Sequence, residues 1–77
     1  MSEQTYRRDC LLDAITAYGR PVTTGLAERL LTGTWPTYGR NTARKDLRGL
    51  ARIGRLTAAD VDGRRVYAPV AGEDGRS

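Results

Sequence analysis

The sequence contains no histidine and only one cysteine, Cys10. Zinc sites are built from sets of Cys and His side chains, and His is the most frequent general acid or base in enzymes. The sequence therefore excludes a His- or Cys-rich metal site. It also contains no nucleophile–base pair, phosphate-binding loop or metal-ligand motif, so we expect neither enzyme activity nor a bound cofactor.

Disulfide partners and long apolar runs are missing as well. A single cysteine cannot form an internal disulfide, which is typical of proteins from a reducing compartment. No apolar run approaches the roughly 20 residues that cross a bilayer, and the first residues lack the layout of a signal peptide. We therefore expect a cytoplasmic protein that is neither embedded in a membrane nor exported.

The short length limits the number of domains. The chain has 77 residues, and a folded chain of this size buries only about 60% of the surface that its unfolded form exposes. We expect one small domain over residues 1–70. Residues 71–77 (AGEDGRS) offer no apolar side chain of any size to a core, so a disordered tail is predicted there.

Positive charge is concentrated in one segment. The chain has 13 basic and 9 acidic residues, a net charge of +4 and a pI near 9.8, which favours a polyanionic partner. Residues 1–37 are neutral, with four basic and four acidic residues. Residues 38–55 carry six basic residues against one acid, Asp46, so this segment alone has a local charge of +5.

A first helix is predicted over about residues 5–18, because apolar side chains recur there at three- and four-residue spacing. These side chains are Leu11, Leu12, Ile15 and Tyr18. Gly19 stands where a glycine commonly ends a helix. Pro21 prevents simple continuation, and a short strand is predicted at 20–22.

A short second helix is predicted over residues 25–31, with a threonine of the pair 23–24 as its N-cap. The following segment, 32–39, contains two glycines, a proline and three threonines, which indicates a loop. We expect its two aromatic side chains, Trp35 and Tyr38, to cover the core beneath the loop, with contact to a ligand as the alternative.

A third helix, over about residues 40–53, is the strongest pattern in the chain. At 100° per residue, its apolar side chains fall within one arc and its basic side chains within another. The apolar arc contains Ala43, Leu47, Leu50 and Ala51. The basic arc contains Asn41, Arg44, Lys45, Arg48, Arg52 and, if the helix extends so far, Arg55. Asp46 points away from the basic arc, and we expect it to pair with a basic side chain.

A β-hairpin is predicted after Gly54, which would end the third helix. Residues 56–59 form an extended run, residues 60–63 form a turn that contains the favoured Asp-Gly pair, and residues 64–68 form the return strand. Pro69 would stop that strand. We expect Tyr67, on the return strand, to pack against the core or the hairpin.

The stretch Asn41–Leu56 (NTARKDLRGLARIGRL) resembles the recognition helix and first wing strand of winged-helix bacterial transcription regulators. It is similar in particular to DeoR-type N-terminal domains and to small actinobacterial proteins of that architecture. The resemblance covers about residues 8–69 and is most specific over 42–47. One departure is the ten residues at 32–41, a longer connection than a compact helix-turn-helix has, which leaves open whether Tyr38 or Arg40 begins the third helix.

The resemblance implies an α+β winged helix-turn-helix domain with three helices and a C-terminal two-stranded hairpin wing. It further implies sequence-specific binding of double-stranded DNA as a transcriptional regulator, with the third helix in the major groove and the wing (60–65) on the backbone or in the adjacent minor groove. The implied base-proximal residues are Arg40, Asn41, Thr42, Arg44, Lys45 and Arg48. Arg52 and Arg55, farther along the helix, would meet phosphate or solvent, and Arg64 and Arg65 would reach the backbone or the adjacent minor groove. A DNA-binding domain this small contacts few base pairs, so we expect it to act as a homodimer or as several monomers on repeated sites. When it is bound to DNA, we expect it at the nucleoid.

The same residues are also compatible with several other functions. The basic arc fits a solvated surface or the docking face of a protein–protein adaptor, and Asn41 or Thr42 fits a helix N-cap equally well. Within DNA binding, an accessory role in plasmid or phage transfer, excision or partition is the nearest alternative. A membrane-surface helix or an RNA partner is less favoured, because the third helix lacks Trp and Phe anchors and the chain lacks interleaved aromatics.

Overall fold

The structure, a computed structural model, describes residues 3–35 and 37–70 and has an α+β fold. Three helices, α1 (Glu3–Tyr18), α2 (Thr24–Thr32) and α3 (Arg40–Arg52), are followed by the strands β1 (Leu56–Val61) and β2 (Arg64–Pro69). The two strands form an antiparallel hairpin. This order of elements is consistent with a winged-helix layout. The tail predicted at 71–77 lies outside the described residues.

The core lies between the three helices and the base of the hairpin. Its buried apolar side chains come from every element: Leu11, Ile15, Val22, Ala27, Leu31, Tyr38, Ala43, Leu47, Leu50, Leu56 and Tyr67. Cys10 and Trp35 are partly buried against it. The predicted packing of both loop aromatics and of Tyr67 is therefore confirmed.

Helix α1 ends at Tyr18, as predicted, but differs from its prediction in two other respects. It begins at Glu3, and its buried face extends only to Ile15. Tyr18, which the apolar spacing placed on that face, is 39% exposed. Its ring lies under the Arg20 guanidinium, 5.7 Å from the ring centroid, in a cation–π contact at the surface. Tyr18 is therefore the last residue of α1, as predicted, but its side chain lies outside the core.

The caps of α2 and α3 are built differently. Thr23 caps α2 as predicted, because its hydroxyl accepts a hydrogen bond of 3.2 Å from the Leu26 amide. Helix α3 is instead capped by Gly39, which has no side chain to donate or accept. Asn41 and Thr42 therefore lie inside the first turn, and the N-cap interpretation of either residue is wrong. Arg40 belongs to α3 and Tyr38 does not.

Glycines with positive φ end α3 and close the hairpin. Gly54 has φ +83°, and the Arg55 amide donates to the Leu50 carbonyl at 2.9 Å, which is the Schellman pattern of a helix C-terminus. Arg55 thus lies beyond α3. At the hairpin, Asp62 (φ 51°) and Gly63 (φ 80°) form the turn alone. A turn with two residues of positive φ matches the strand twist and pairs Val61 directly with Arg64, so Asp60 and Val61 extend β1 rather than belonging to the turn as predicted.

The predicted short strand at 20–22 is a single β-bridge. The Val22 and Tyr67 amides donate to each other's carbonyl groups at 2.8 Å. Strand β2 is therefore bonded on one side to β1 and on the other to Val22. This bridge ties the segment between α1 and α2 to the base of the hairpin.

A buried carboxylate joins α1, the loop and α3. The Asp46 side chain is 0% exposed, although it lies in the most basic segment of the chain. Arg7 donates to both of its oxygens at 2.7 Å, Arg8 donates at 3.0 Å and the Tyr38 hydroxyl donates at 3.0 Å. The predicted pairing of Asp46 with basic side chains is confirmed, with arginines that lie 39 and 38 residues away in the sequence.

Burial alone would raise the pKa of the Asp46 carboxyl. The hydrogen bonds from Arg7, Arg8 and Tyr38 outweigh it and hold this pKa below the ordinary value of 3.8. Burial, together with the adjacent carboxylate, raises the pKa of the Tyr38 hydroxyl well above its ordinary value. Asp46 is therefore an acceptor and Tyr38 a donor throughout the physiological range.

Replacing Asp46 with Asn should destabilise the fold by about 3 kcal/mol, the lower end of the cost of breaking a buried ion pair, because both arginines can partly turn to water. For a domain of this size the melting temperature should fall by more than about 10 °C. Thermal unfolding followed by circular dichroism measures the change. Asp13→Asn, an exposed position on α1, is the matched control and should melt like the wild type.

Acid should remove the same stabilisation. The folded-state pKa of Asp46 lies below 3.8, so its contribution is complete above that pH and is lost as the pH falls through the folded-state value. The difference in free energy of unfolding between the wild type and Asp46→Asn should therefore be constant near neutral pH and shrink below about pH 4. Urea titrations across this range measure it, and a constant difference down to pH 2 would contradict the assignment.

Candidate nucleic-acid interface

Helix α3 presents a basic face directly opposite its core face. Ala43, Asp46, Leu47 and Leu50 are buried on one side of the helix. The side chains on the other side are all exposed. We call them the α3 basic face: Asn41, Arg44, Lys45, Arg48 and Arg52. Because the core holds the opposite side of α3, these side chains can contact a ligand without any change in the fold.

The predicted site residues fall into two groups around this face. Arg40 and Arg44 lie beside both hairpin arginines, Arg64 and Arg65, in one depression. Lys45, Arg48 and Arg52 line a second depression on the side of α3 that faces α1. Asn41 lines neither depression, and its Oδ1 accepts a hydrogen bond of 3.3 Å from Arg44 Nη1. Thr42 is half-buried and lines neither depression.

The first depression also contains the start of α2, and we call it the α2–hairpin basin. It is lined by Thr23, Thr24, Gly25, Arg40, Arg44, Arg64 and Arg65. A Cβ placed on Gly25 would lie 3.4 Å from Nη2 of Arg40, so that guanidinium lies against the first turn of α2. The unpaired amides of a helix N-terminus carry partial positive charge. The basin thus combines four guanidinium groups with a helix N-terminus, which also carries positive charge.

Few acidic groups offset these charges. Glu28 accepts from Arg40 at 3.4 Å, and Asp60 accepts from Arg65 at 2.8 Å. That hydrogen bond raises the pKa of the Arg65 guanidinium above its ordinary value. Across residues 3–35 and 37–70, no carboxylate forms an ion pair with the remaining basic side chains of the two groups. These are Arg44, Lys45, Arg48, Arg52 and Arg64.

Sequence reasoning missed the contributions of α1 and α2. Arg8 lies beside the α3 basic face, and Thr24 and Gly25 lie in the α2–hairpin basin. The threonine cap indicated where α2 begins but not what its first turn faces. Arg8 belongs to the half of the chain that is neutral overall, and no local pattern pointed to its position next to α3.

The described residues contain neither a metal cluster nor a membrane span. In residues 3–35 and 37–70, no three His, Cys, Asp or Glu side chains are grouped so that they could hold a metal ion. None of the helices in the same ranges has both the length and the hydrophobicity that crossing a bilayer requires.

The basic surface therefore consists of an exposed helix face between two depressions lined by cationic groups. Polyanions are the ligand class that such a surface attracts. Comparison with known proteins found no matching family model, no matching curated protein and no matching solved structure.

Proposed function

We propose that this chain is a winged helix-turn-helix protein that binds double-stranded DNA sequence-specifically and acts as a transcriptional regulator. The observation that carries the proposal is the α3 basic face, an exposed cationic helix surface whose opposite side is fixed in the core. In this proposal the hairpin is the wing, and α3 is the recognition helix.

The dimensions of α3 suit the major groove of B-DNA. A helix of 13 residues is about 20 Å long and about 10–12 Å across with its side chains. The groove is about 12 Å wide and presents acceptors that Arg and Lys bind, and paired donors and acceptors that Asn binds. Asn41, Arg44 and Arg48 supply these chemistries from the exposed side, and insertion of α3 brings them to the base edges.

The α2–hairpin basin suits the phosphate backbone beside the groove. Arg40 and the hairpin arginines provide charge-assisted hydrogen bonds, and the first turn of α2 provides backbone amides. Contacts of this kind fix the position of a protein on the duplex and carry no sequence information by themselves. In this arrangement the hairpin clamps the backbone while α3 reads the bases.

One copy of such a reader covers few base pairs, so we propose that it acts as a homodimer or as several monomers on repeated sites. A dimer would place its half-sites about 10 bp apart, one turn of the duplex. Selection of bound sequences from a random duplex library tests this, because the spacing of the recovered motifs reports the number of copies. A single short motif without repetition would contradict it.

Replacing Arg44 and Arg48 with Ala should weaken specific DNA binding by at least about 30-fold, from a loss of about 1–3 kcal/mol per base contact. The circular dichroism spectrum and melting temperature should stay close to wild type, because both side chains are exposed. Fluorescence anisotropy with a selected duplex measures the affinity.

The matched control removes two exposed arginines that line neither depression, Arg20 and Arg29. This variant has the same net charge as the double Arg44 and Arg48 variant and should keep most of the affinity. Equal losses in the two variants would show that only bulk charge matters. If the wild type binds no duplex even at low salt, the proposed function is wrong, and capture of an acidic protein partner by the same surface would favour the adaptor alternative.

Replacing Arg64 and Arg65 with Ala should weaken binding by a similar factor on specific and random duplexes. Each lost phosphate contact should also reduce the slope of log affinity against log salt by about 1. Titrations at several salt concentrations measure both quantities. A selective loss on the specific duplex would instead mean that the hairpin reads bases.

A further inference from the structure

The side of α3 that faces α1 forms a second depression, which we call the α1–α3 cleft. It is lined by Arg8, Lys45, Arg48, Gly49, Arg52 and Ile53. Four of these six residues are cationic, and three of them belong to the α3 basic face. The fourth, Arg8, comes from α1 and brings a positive charge that no pattern in the sequence placed there.

Arg8 is held in the cleft by hydrogen bonds at two of its nitrogens. Its Nε donates to Asp46 Oδ1 at 3.0 Å, and its Nη2 donates to the Lys45 carbonyl oxygen at 3.4 Å. Arg7 already contacts both oxygens of Asp46 at 2.7 Å, so that pair is neutral without Arg8. The Arg8 side chain is 26% exposed. It therefore presents a positive charge in excess of the buried carboxylate to solvent at a fixed position.

Gly49 makes room for this guanidinium. A Cβ at position 49 would lie 2.5 Å from Arg8 Nη1 and 2.6 Å from Cζ, so any side chain there would displace Arg8. Residue 49 lies inside α3 and has ordinary helical backbone, so its backbone conformation does not require glycine. Glycine in a helix interior costs roughly 0.5–1 kcal/mol relative to Ala. Glycine at position 49 allows the close approach of Arg8 in spite of this cost to the helix.

The cleft and the α2–hairpin basin lie on opposite flanks of α3. Arg44 lines the basin and Gly49, which Arg8 contacts, lines the cleft, and at 100° per residue these positions are roughly 140° apart around the helix. A helix inserted into the major groove has one sugar–phosphate backbone on each flank. Each depression would then face a different strand.

We propose that the α1–α3 cleft binds a DNA phosphate, with Arg8 as a phosphate-contacting residue on the strand opposite to the one at the α2–hairpin basin. This rests on the proposed function. The ligand chemistry follows from the cluster itself, since four cationic groups meet in the cleft and the carboxylate that Arg8 contacts, Asp46, is buried and matched by Arg7. A phosphodiester oxygen can accept charge-assisted hydrogen bonds from Arg8 and Arg52.

The test compares Arg8→Ala with Arg29→Ala. Both variants remove one positive charge, but only Arg8 lines the cleft, whereas Arg29 is exposed and lines neither depression. Arg8→Ala should reduce the slope of log affinity against log salt by about 1 and weaken binding equally on specific and random duplexes. Arg29→Ala should leave that slope at the wild-type value. Circular dichroism establishes the temperature at which all variants are folded.

Gly49→Ala provides a second measurement that keeps every charge and favours the helix. Its Cβ displaces the Arg8 guanidinium, so the salt slope should fall toward that of Arg8→Ala. The gain in helix propensity should offset part of the stability lost with the hydrogen bond from Arg8 to Asp46, so the melting temperature should stay above that of Arg8→Ala. If Arg8→Ala and Gly49→Ala both bind DNA with the wild-type slope, the phosphate site in the cleft is overturned and the proposed function stands. If the wild type binds no duplex, the proposed function fails first.

Discussion

The fold depends on the hydrogen bonds that surround one buried carboxylate. A charge removed from water is tolerated only when its oxygens are fully matched, and Asp46 receives four hydrogen bonds from Arg7, Arg8 and Tyr38. Two of these residues lie near the start of α1, and the third lies in the loop before α3. The same carboxylate therefore sets the position of α1 along α3 and fixes the loop that leads into α3. Apolar contacts alone would define both positions less sharply.

This arrangement also decides which charges the surface displays. The only acid among residues 38–55 is turned into the core and is matched by arginines of α1. The outward side of α3 is left with cationic side chains and Asn41. Arg8 is drawn toward α3 by Asp46, so the interaction that stabilises the fold adds a charge beside the proposed DNA-binding surface. Asp46 thus organises that surface without reaching it.

Local patterns in the sequence predicted what local physics determines. The two arcs of α3, the threonine cap of α2 and the Asp62–Gly63 turn all follow from spacing or from single-residue preferences. The arginine partners of Asp46 lie 38 and 39 residues away in the chain, and no periodicity links such positions. For the same reason, the sequence indicated the residues of the α3 basic face but not the depressions on its flanks, which form only when α1, α2 and the hairpin pack around it.

The composition of α3 is poorly suited to an isolated helix, and this supports a role in binding. Arg40, Arg44, Arg48 and Arg52 follow one another at four-residue intervals, and each like-charged pair at that spacing destabilises a helix by about 0.2–0.5 kcal/mol. The helix begins at a cap that has no side-chain hydrogen bond and carries a glycine at position 49. The core face and Asp46 must offset these costs in the free protein. A polyanion bound to the exposed face of α3 would relieve the repulsion between the arginines directly. The like charges that destabilise α3 in the free protein would therefore favour its binding to DNA.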